Sequence, residues 1–211
     1  MNDDFLIDGP AKAKHTFVFA HGAGGAMDSA WMARVARGIA AGGVRVVRFE
    51  FPYMAARRRG EKKGGAPDRA PILLESFRKV VAELGGGPSV FIGGKSMGGR
   101  MATMVADELR VRGVVCFGYP FHPPGQPAKL RTEHLQSMST PTLILQGSRD
   151  IFGNADEVPA YELSDAIRVE WIRGGDHSLK PNAAAGVTER ENIEHAIEEA
   201  VTFITSSPAV G

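Results

Sequence analysis

Gly94-Lys95-Ser96-Met97-Gly98 is a G-x-S-x-G, preceded by the apolar run Val90-Phe91-Ile92 and followed by a helical pattern carrying Met101, Met104, Val105 and Leu109. A strand that enters a helix through so sharp a turn forces its middle residue into a strained conformation, and small neighbours such as Gly94 and Gly98 keep the turn free of clashes. The serine oxygen then stands above the sheet, and the next amide, that of Met97, is aimed at the same space. A hydroxyl attacks poorly unless a base removes its proton, so a histidine and an acid to orient it are required. The chain order behind such an elbow is Ser, acid, His. Asp150 follows the run Thr142–Gln146, and His177 follows the run Val169–Ile172, each in a loop. The competing groups are placed less well: His15 precedes the first clear strand, His122 and His134 precede Asp150, and His195 falls inside the last helical pattern. Asp156 is the rival acid.

The carbonyl under attack also needs donors for its developing negative charge. Met97 supplies one amide, and the second is expected from the loop after the first clear strand, His21-Gly22-Ala23-Gly24-Gly25, with Ala23 favoured and Gly24 as the alternative. Gly94-Lys95-Ser96 also ends as a nucleotide-binding loop ends. That motif requires glycine five positions earlier, where Ser89 stands, and the intervening residues belong to a strand.

These residues have to be held by elements whose sequence alternates short apolar runs with longer helical patterns. Strands are expected at Thr16–Ala20, Arg45–Phe51, Ser89–Gly93, Gly113–Phe117, Pro141–Gln146 and Arg168–Ile172. Runs such as Val114-Val115-Cys116-Phe117 are continuous, as in a central parallel strand buried on both faces. Helices are expected from Asp28 or Ser29 to about Ala41, from near Pro71 to Leu84, after Ser96, and from Thr188, where Thr188 and Glu191 fit a capping box. The alternation implies right-handed crossovers and a parallel sheet covered on both sides. Ala55–Ala70, rich in Arg, Lys and Gly, reads as a long exposed loop, and Ser206–Gly211 as a frayed tail.

Composition narrows the function classes. The chain has 211 residues, suited to one domain spanning 1–211, and its 43% apolar content supports a sizeable core. Lys and Arg number 25 against 24 Asp and Glu, a balance unlike that of a dedicated nucleic-acid binder. The single cysteine, Cys116, excludes an intrachain disulfide and a cysteine-based zinc cage, and it reads as a small buried hydrophobe. The acidic start Met1-Asn2-Asp3-Asp4 is unlike a signal peptide, and no apolar run is long enough to span a bilayer. A cytoplasmic protein without nucleic-acid or membrane partners is expected, as a monomer or homodimer.

Taken together, His21-Gly22-Ala23-Gly24, Phe49-Glu50-Phe51-Pro52-Tyr53, Gly93 to Arg100, Gly118 to Gly125, Leu145 to Asp150 and Asp176-His177-Ser178 resemble the small alpha/beta-hydrolases. Within them the chain is most similar to bacterial dienelactone-hydrolase-like proteins and to the testis-expressed and NSL-complex-subunit branch, from about residue 15 to 205. The resemblance implies the alpha/beta-hydrolase fold: an α/β architecture with a mostly parallel sheet of six to seven strands and helices on both faces. It also implies the triad Ser96, Asp150 and His177. Dienelactone hydrolases proper carry a cysteine nucleophile where this chain has Ser96, so dienelactone is not the expected substrate.

The expected activity is cleavage of a small carboxylic ester or thioester, which needs neither a metal nor an organic cofactor. A hydrolase-fold scaffold without activity is the alternative from another class. Tyr53, Tyr119, Phe121 and Phe152 are the expected cleft walls. Roughly two dozen residues separate Phe117 from Pro141, too few for a lid domain, so the cleft is expected to be open and to favour short acyl groups. The run from Arg57 to Lys63 is chiefly a solvated loop, with steering of an anionic substrate as its functional reading.

Overall fold

The computed structural model describes residues 5–206. Seven strands form one sheet: β1 (Phe5–Asp8), β2 (Thr16–Ala20), β3 (Arg45–Phe49), β4 (Val90–Lys95), β5 (Val114–Phe117), β6 (Thr142–Gly147) and β7 (Ile167–Ile172). Their order is β1-β3-β2-β4-β5-β6-β7. Only β1 runs antiparallel to its neighbour, pairing Phe5 with Phe49 and Asp8 with Val46. The other pairings are parallel, and β2 and β4 lie side by side with Ala20 opposite Gly94. The loops after β2 and β4 therefore emerge next to each other at one end of the sheet.

Both faces of the sheet are covered, which explains the continuous apolar runs. Phe17, Phe19, Val115, Phe117, Leu143 and Leu145 pack against α1 (Ala30–Ala41) and α5 (Glu189–Ser206). Val18, Ala20, Ile92, Val114, Cys116 and Ile144 point the other way. They meet α2 (Pro52–Arg58), α3 (Ala70–Glu83) and α4 (Met97–Leu109). Alternation along each strand thus divides an all-apolar segment between two half-cores. Cys116 is fully buried, and burial pushes its thiol pKa up.

The expected capping box holds. The Glu191 amide donates to Thr188 Oγ1 at 3.2 Å, and the Thr188 amide donates to Glu191 Oε2 at 2.7 Å. At the start of α1, Ser29 occupies the cap position without a side-chain bond to the helix, while Asp28 pairs with Arg58 at 2.9 Å.

Three sequence readings need correction or completion. β1 was not among the expected strands: it is a four-residue edge strand whose mixed exposure carries no clear alternation. Ala55–Ala70 is not a loop throughout, because α2 extends to Arg58 before the exposed stretch begins. Pro52 at its first turn starts that helix, and Asp68 Oδ2 accepts the Tyr53 amide at 2.9 Å. Ser206 closes α5, and the remainder of the expected frayed tail lies outside the described residues. Between β5 and β6 the only regular segment is a short 3-10 turn at Glu133–Leu135, so no lid domain is inserted there.

Candidate active site

Ser96 stands between β4 and α4 with φ 50° and ψ −113°, a backbone conformation that L-residues seldom adopt. The strain is sustained because the turn is held on every side. The Ser96 amide donates to Phe117 O at 3.0 Å, and Arg100 N–H donates to Ser96 O at 3.0 Å. Gly98 makes close packing possible: a Cβ there would lie 2.6 Å from His21 O and 2.7 Å from Ala20 O. The first turn of α4 is thereby pressed onto the end of β2.

The loops after β6 and β7 bring the two partners. His177 Nε2 lies 2.8 Å from Ser96 Oγ, and His177 Nδ1 lies 2.7 Å from Asp150 Oδ2. Asp150 is fully buried. Its Oδ1 accepts the Phe152 amide at 2.9 Å, and its Oδ2 also accepts Gln146 Nε2 at 2.9 Å. Those donors fix the plane of the carboxylate. An anionic acceptor at Nδ1 places the imidazole proton there, which leaves Nε2 free to accept from the serine hydroxyl. Asp176 organises the histidine loop by accepting the Ser178 and Lys180 amides at 2.7 and 3.0 Å. Gly118, at φ 69°, gives the ring room, since a Cβ there would sit 2.7 Å from His177 O and 3.3 Å from Nδ1. The rival acid Asp156 is exposed.

A second set of bonds orients the loop after β2. Phe51 N–H donates to His21 Nε2 at 3.1 Å, so the imidazole proton sits on Nδ1, which lies 2.7 Å from Gly22 O. Burial lowers the His21 pKa, in keeping with a neutral ring. The Tyr53 hydroxyl contacts Gly22 O at 3.3 Å and Ala23 O at 3.0 Å. In a trans peptide the C=O and the following N–H point in opposite directions. With the Gly22 and Ala23 carbonyls drawn inward, the amides of Ala23 and Gly24 face the other way. Met97 N–H, the first of α4, has no partner within its own helix.

The cleft around Ser96 has a volume of about 380 Å³, and its lining includes Ala23, Trp31, Met32, Lys95, Phe152 and His177. Of the four expected wall residues, Phe152 is there, its ring centroid 4.2 Å from that of His177. Tyr53, Tyr119 and Phe121 are not: they are 2%, 0% and 0% exposed and belong to the core beside α3 and α4. Tyr53 turns under the β2 loop. Tyr119 is drawn inward by Gln146, whose Oε1 accepts the Tyr119 amide at 2.7 Å.

Lys95, Trp31 and Met32 line the cleft although the sequence marked none of them as a wall. Lys95 Nζ donates to His177 O and lies 4.8 Å from the Trp31 ring centroid, while Trp31 Nε1 donates to Ser178 O at 3.2 Å. The pair thus holds the backbone of the histidine loop at His177 and Ser178. Burial lowers the Lys95 pKa to about 8, against the opposing charges of Asp150 and Asp176. The signal for Trp31 was ambiguous, because a helix stripe reads alike whether it meets the core or a cleft. The arginines of the basic run have protein partners: Arg57 lies 5.0 Å from the Tyr53 ring centroid, Arg58 pairs with Glu50 and Asp28, and Arg59 pairs with Glu61.

Solved structures share this architecture. An alpha-beta serine hydrolase homologue from Coxiella burnetii superposes with a TM-score of 0.69 at 20% identity, over 95% of this chain and 90% of that one. A serine hydrolase without a lid from Xanthomonas campestris gives 0.69 at 18% identity, over 97% and 90%. A dienelactone hydrolase from Anabaena variabilis gives 0.70 at 18% identity, over 96% and 91%. At such identities the likeness concerns the fold. Residues 13–205 match the family model described as the alpha/beta hydrolase domain, and on that match the chain belongs to the alpha/beta hydrolases.

Proposed function

We propose that the protein is a serine hydrolase that cleaves a carboxylic ester or thioester of a small soluble substrate. The observation that carries this reading is the unbroken chain from Ser96 Oγ through His177 to buried Asp150, at 2.8 and 2.7 Å, with the serine held at φ 50°. His177 Nε2 takes the Ser96 proton as Oγ attacks the carbonyl carbon. The amides of Met97 and Ala23 receive the negative charge on the carbonyl oxygen, with Gly24 beside them. Collapse breaks the bond to the leaving group, which departs with the proton from His177. Water then attacks the acyl-enzyme, gives a proton to His177, and the acid leaves as that proton returns to Ser96.

Each step has a residue in reach and needs no metal or organic cofactor. The absence of a lid domain between β5 and β6 and the modest cleft favour short acyl groups. Purified protein should hydrolyse p-nitrophenyl acetate or butyrate with kcat/KM at least about tenfold above that for the palmitate. Hydrolysis of the palmitate alone would contradict the small-substrate reading. We further propose that the protein acts in the cytoplasm, as a monomer or homodimer, without nucleic-acid or membrane partners. Among the described residues no helix is long and apolar enough to cross a membrane.

Tyr53 enters this scheme as a positioning residue. Burial pushes its pKa up to about 12, so the hydroxyl remains a donor throughout the pH range of an esterase assay. Tyr53→Phe frees the Gly22 and Ala23 carbonyls to turn. The expected result is a fall in kcat of about tenfold with KM unchanged, smaller than the ~10²–10³ that follows outright loss of an oxyanion donor. A rise in KM at constant kcat would instead assign Tyr53 to substrate binding.

A further inference from the structure

Apart from the cleft, a cavity of about 440 Å³ opens between α4 and the segment before β6, lined in part by Arg100, Leu130, Arg131, Glu133, His134 and Ser137. Several arginines of this protein have a carboxylate partner, among them Arg48 with Asp8, Arg58 with Glu50, Arg78 with Glu108 and Arg168 with Glu199. Among the described residues, neither Arg100 nor Arg131 has one, and Arg100 Nε, like Arg57 Nε elsewhere, is buried with no hydrogen-bond partner. Guanidinium groups that line a cavity without a carboxylate partner are free to pair with an oxyanion there.

Both backbones are fixed. Arg100 sits in the first turn of α4, its amide bonded to Ser96 O at 3.0 Å. Arg131 N–H donates to Phe121 O at 2.7 Å, and the Tyr119 hydroxyl donates to Arg131 O at 3.0 Å. The two cations are close enough to disfavour each other: burial, and then the Arg100 charge, lowers the Arg131 pKa. His134 adds no charge, since burial and Arg100 lower its pKa to about 4, and its Nε2 is engaged with Thr103 Oγ1 at 2.9 Å. The one acid on the cavity wall, Glu133, is exposed and paired with neither arginine.

The geometry points to Arg100 and Arg131 as a binding site for the phosphoryl group of a phosphate monoester, with Ser137 as a further donor. A dianion with three oxygens can engage both guanidinium forks and relieve their mutual repulsion, whereas a carboxylate can satisfy only one fork well. The cavity exceeds the size of a free phosphate, and Leu130, 48% exposed, offers apolar surface for an organic group attached to it. The site is separate from the Ser96 cleft and does not depend on the hydrolase reading.

Binding is tested on the whole chain by calorimetric titration with phenyl phosphate, inorganic phosphate and benzoate in low salt. Phenyl phosphate should bind with millimolar or better affinity, more tightly than benzoate, and added salt should weaken it. Arg100→Gln and Arg131→Gln should each weaken it at least about tenfold, while Arg37→Gln on the exposed face of α1 should not. Phosphate matching phenyl phosphate would assign the site to the free ion and overturn the monoester reading. If either variant fails to fold, the ¹⁵N–¹H signal of Arg100 Nε in the wild type replaces it, and phenyl phosphate should move that signal. An unmoved Arg100 signal, no binding up to about 10 mM, or binding that survives both substitutions overturns the site.

Discussion

Replacing His177 by alanine is expected to lower kcat for a short-chain ester by about 10⁵–10⁶-fold, with a residual rate above that of water alone. Among the described residues, the ring is the base that contacts Ser96 Oγ, at 2.8 Å. What survives is the contribution of the oxyanion amides and substrate binding, which do not pass through the imidazole. The substitution also removes one of the donors that hold the buried Asp150 carboxylate, leaving Gln146 Nε2 and the Phe152 amide. Stability should therefore fall by about 1–3 kcal/mol, the cost of a lost hydrogen bond to a charged group, while the protein stays folded at 25 °C. In the proposed mechanism Asp150 acts on the reaction only through His177. Adding Asp150→Asn to His177→Ala should accordingly cost less than about tenfold more, even though Asp150→Asn alone costs about 10³–10⁴-fold. Additive losses would mean that Asp150 has a role of its own.

Gly98→Ala is expected to cost substantial stability for one added methyl group. The new Cβ would meet two backbone oxygens, His21 O at 2.6 Å and Ala20 O at 2.7 Å, and neither can rotate away as a side chain could. Either β2 or the first turn of α4 has to move. Overpacking of this kind costs about 3 kcal/mol, which lowers the melting temperature by about 6–12 °C in a chain of this length. The same shift displaces Ser96 and Met97 from the amides of the β2 loop, and a misplacement near 1 Å is worth about 10²-fold in kcat. Gly24→Ala is the control for stability, since a Cβ there meets nothing within 4 Å. Equal melting temperatures for the two variants would refute the close packing of the elbow on β2.

The glycine at position 98 also shows what the sequence makes legible. Gly94 and Gly98 announce the elbow because a chain that bends this sharply against a neighbouring strand tolerates nothing larger. Asp150 is readable because it follows β6, a run buried on both faces as in a central strand, whereas His177 follows the edge strand β7 and is marked by its place after the last strand pattern. The internal strands β2 to β6 follow from their buried apolar runs, and β7, at the sheet edge, from a shorter run that Arg168 and Glu170 interrupt. What stays hidden depends on where loops fold back. Tyr53, Tyr119 and Phe121 stand beside strand ends, as cleft walls do, yet backbone bonds to Asp68 and Gln146 fix the turns that carry both tyrosines inward. Trp31 and Met32 lie on a helix whose apolar stripe continues from the core into the cleft, and periodicity carries no mark where one ends. β1 is too short and too exposed to leave a pattern, and α2 is masked by the basic, glycine-rich stretch that follows it. In the sequence His21 is only the first residue of a glycine-rich turn. Its part in aligning that turn depends on Phe51, thirty positions away.

The central claim is that Ser96 is an activated nucleophile, and active-site labelling with a fluorophosphonate tests it most directly. Intact mass of the wild type should show one adduct, formed at the serine that His177 deprotonates, and Ser96→Ala should show none. No adduct on folded wild-type protein, or one that persists in Ser96→Ala, would contradict the account.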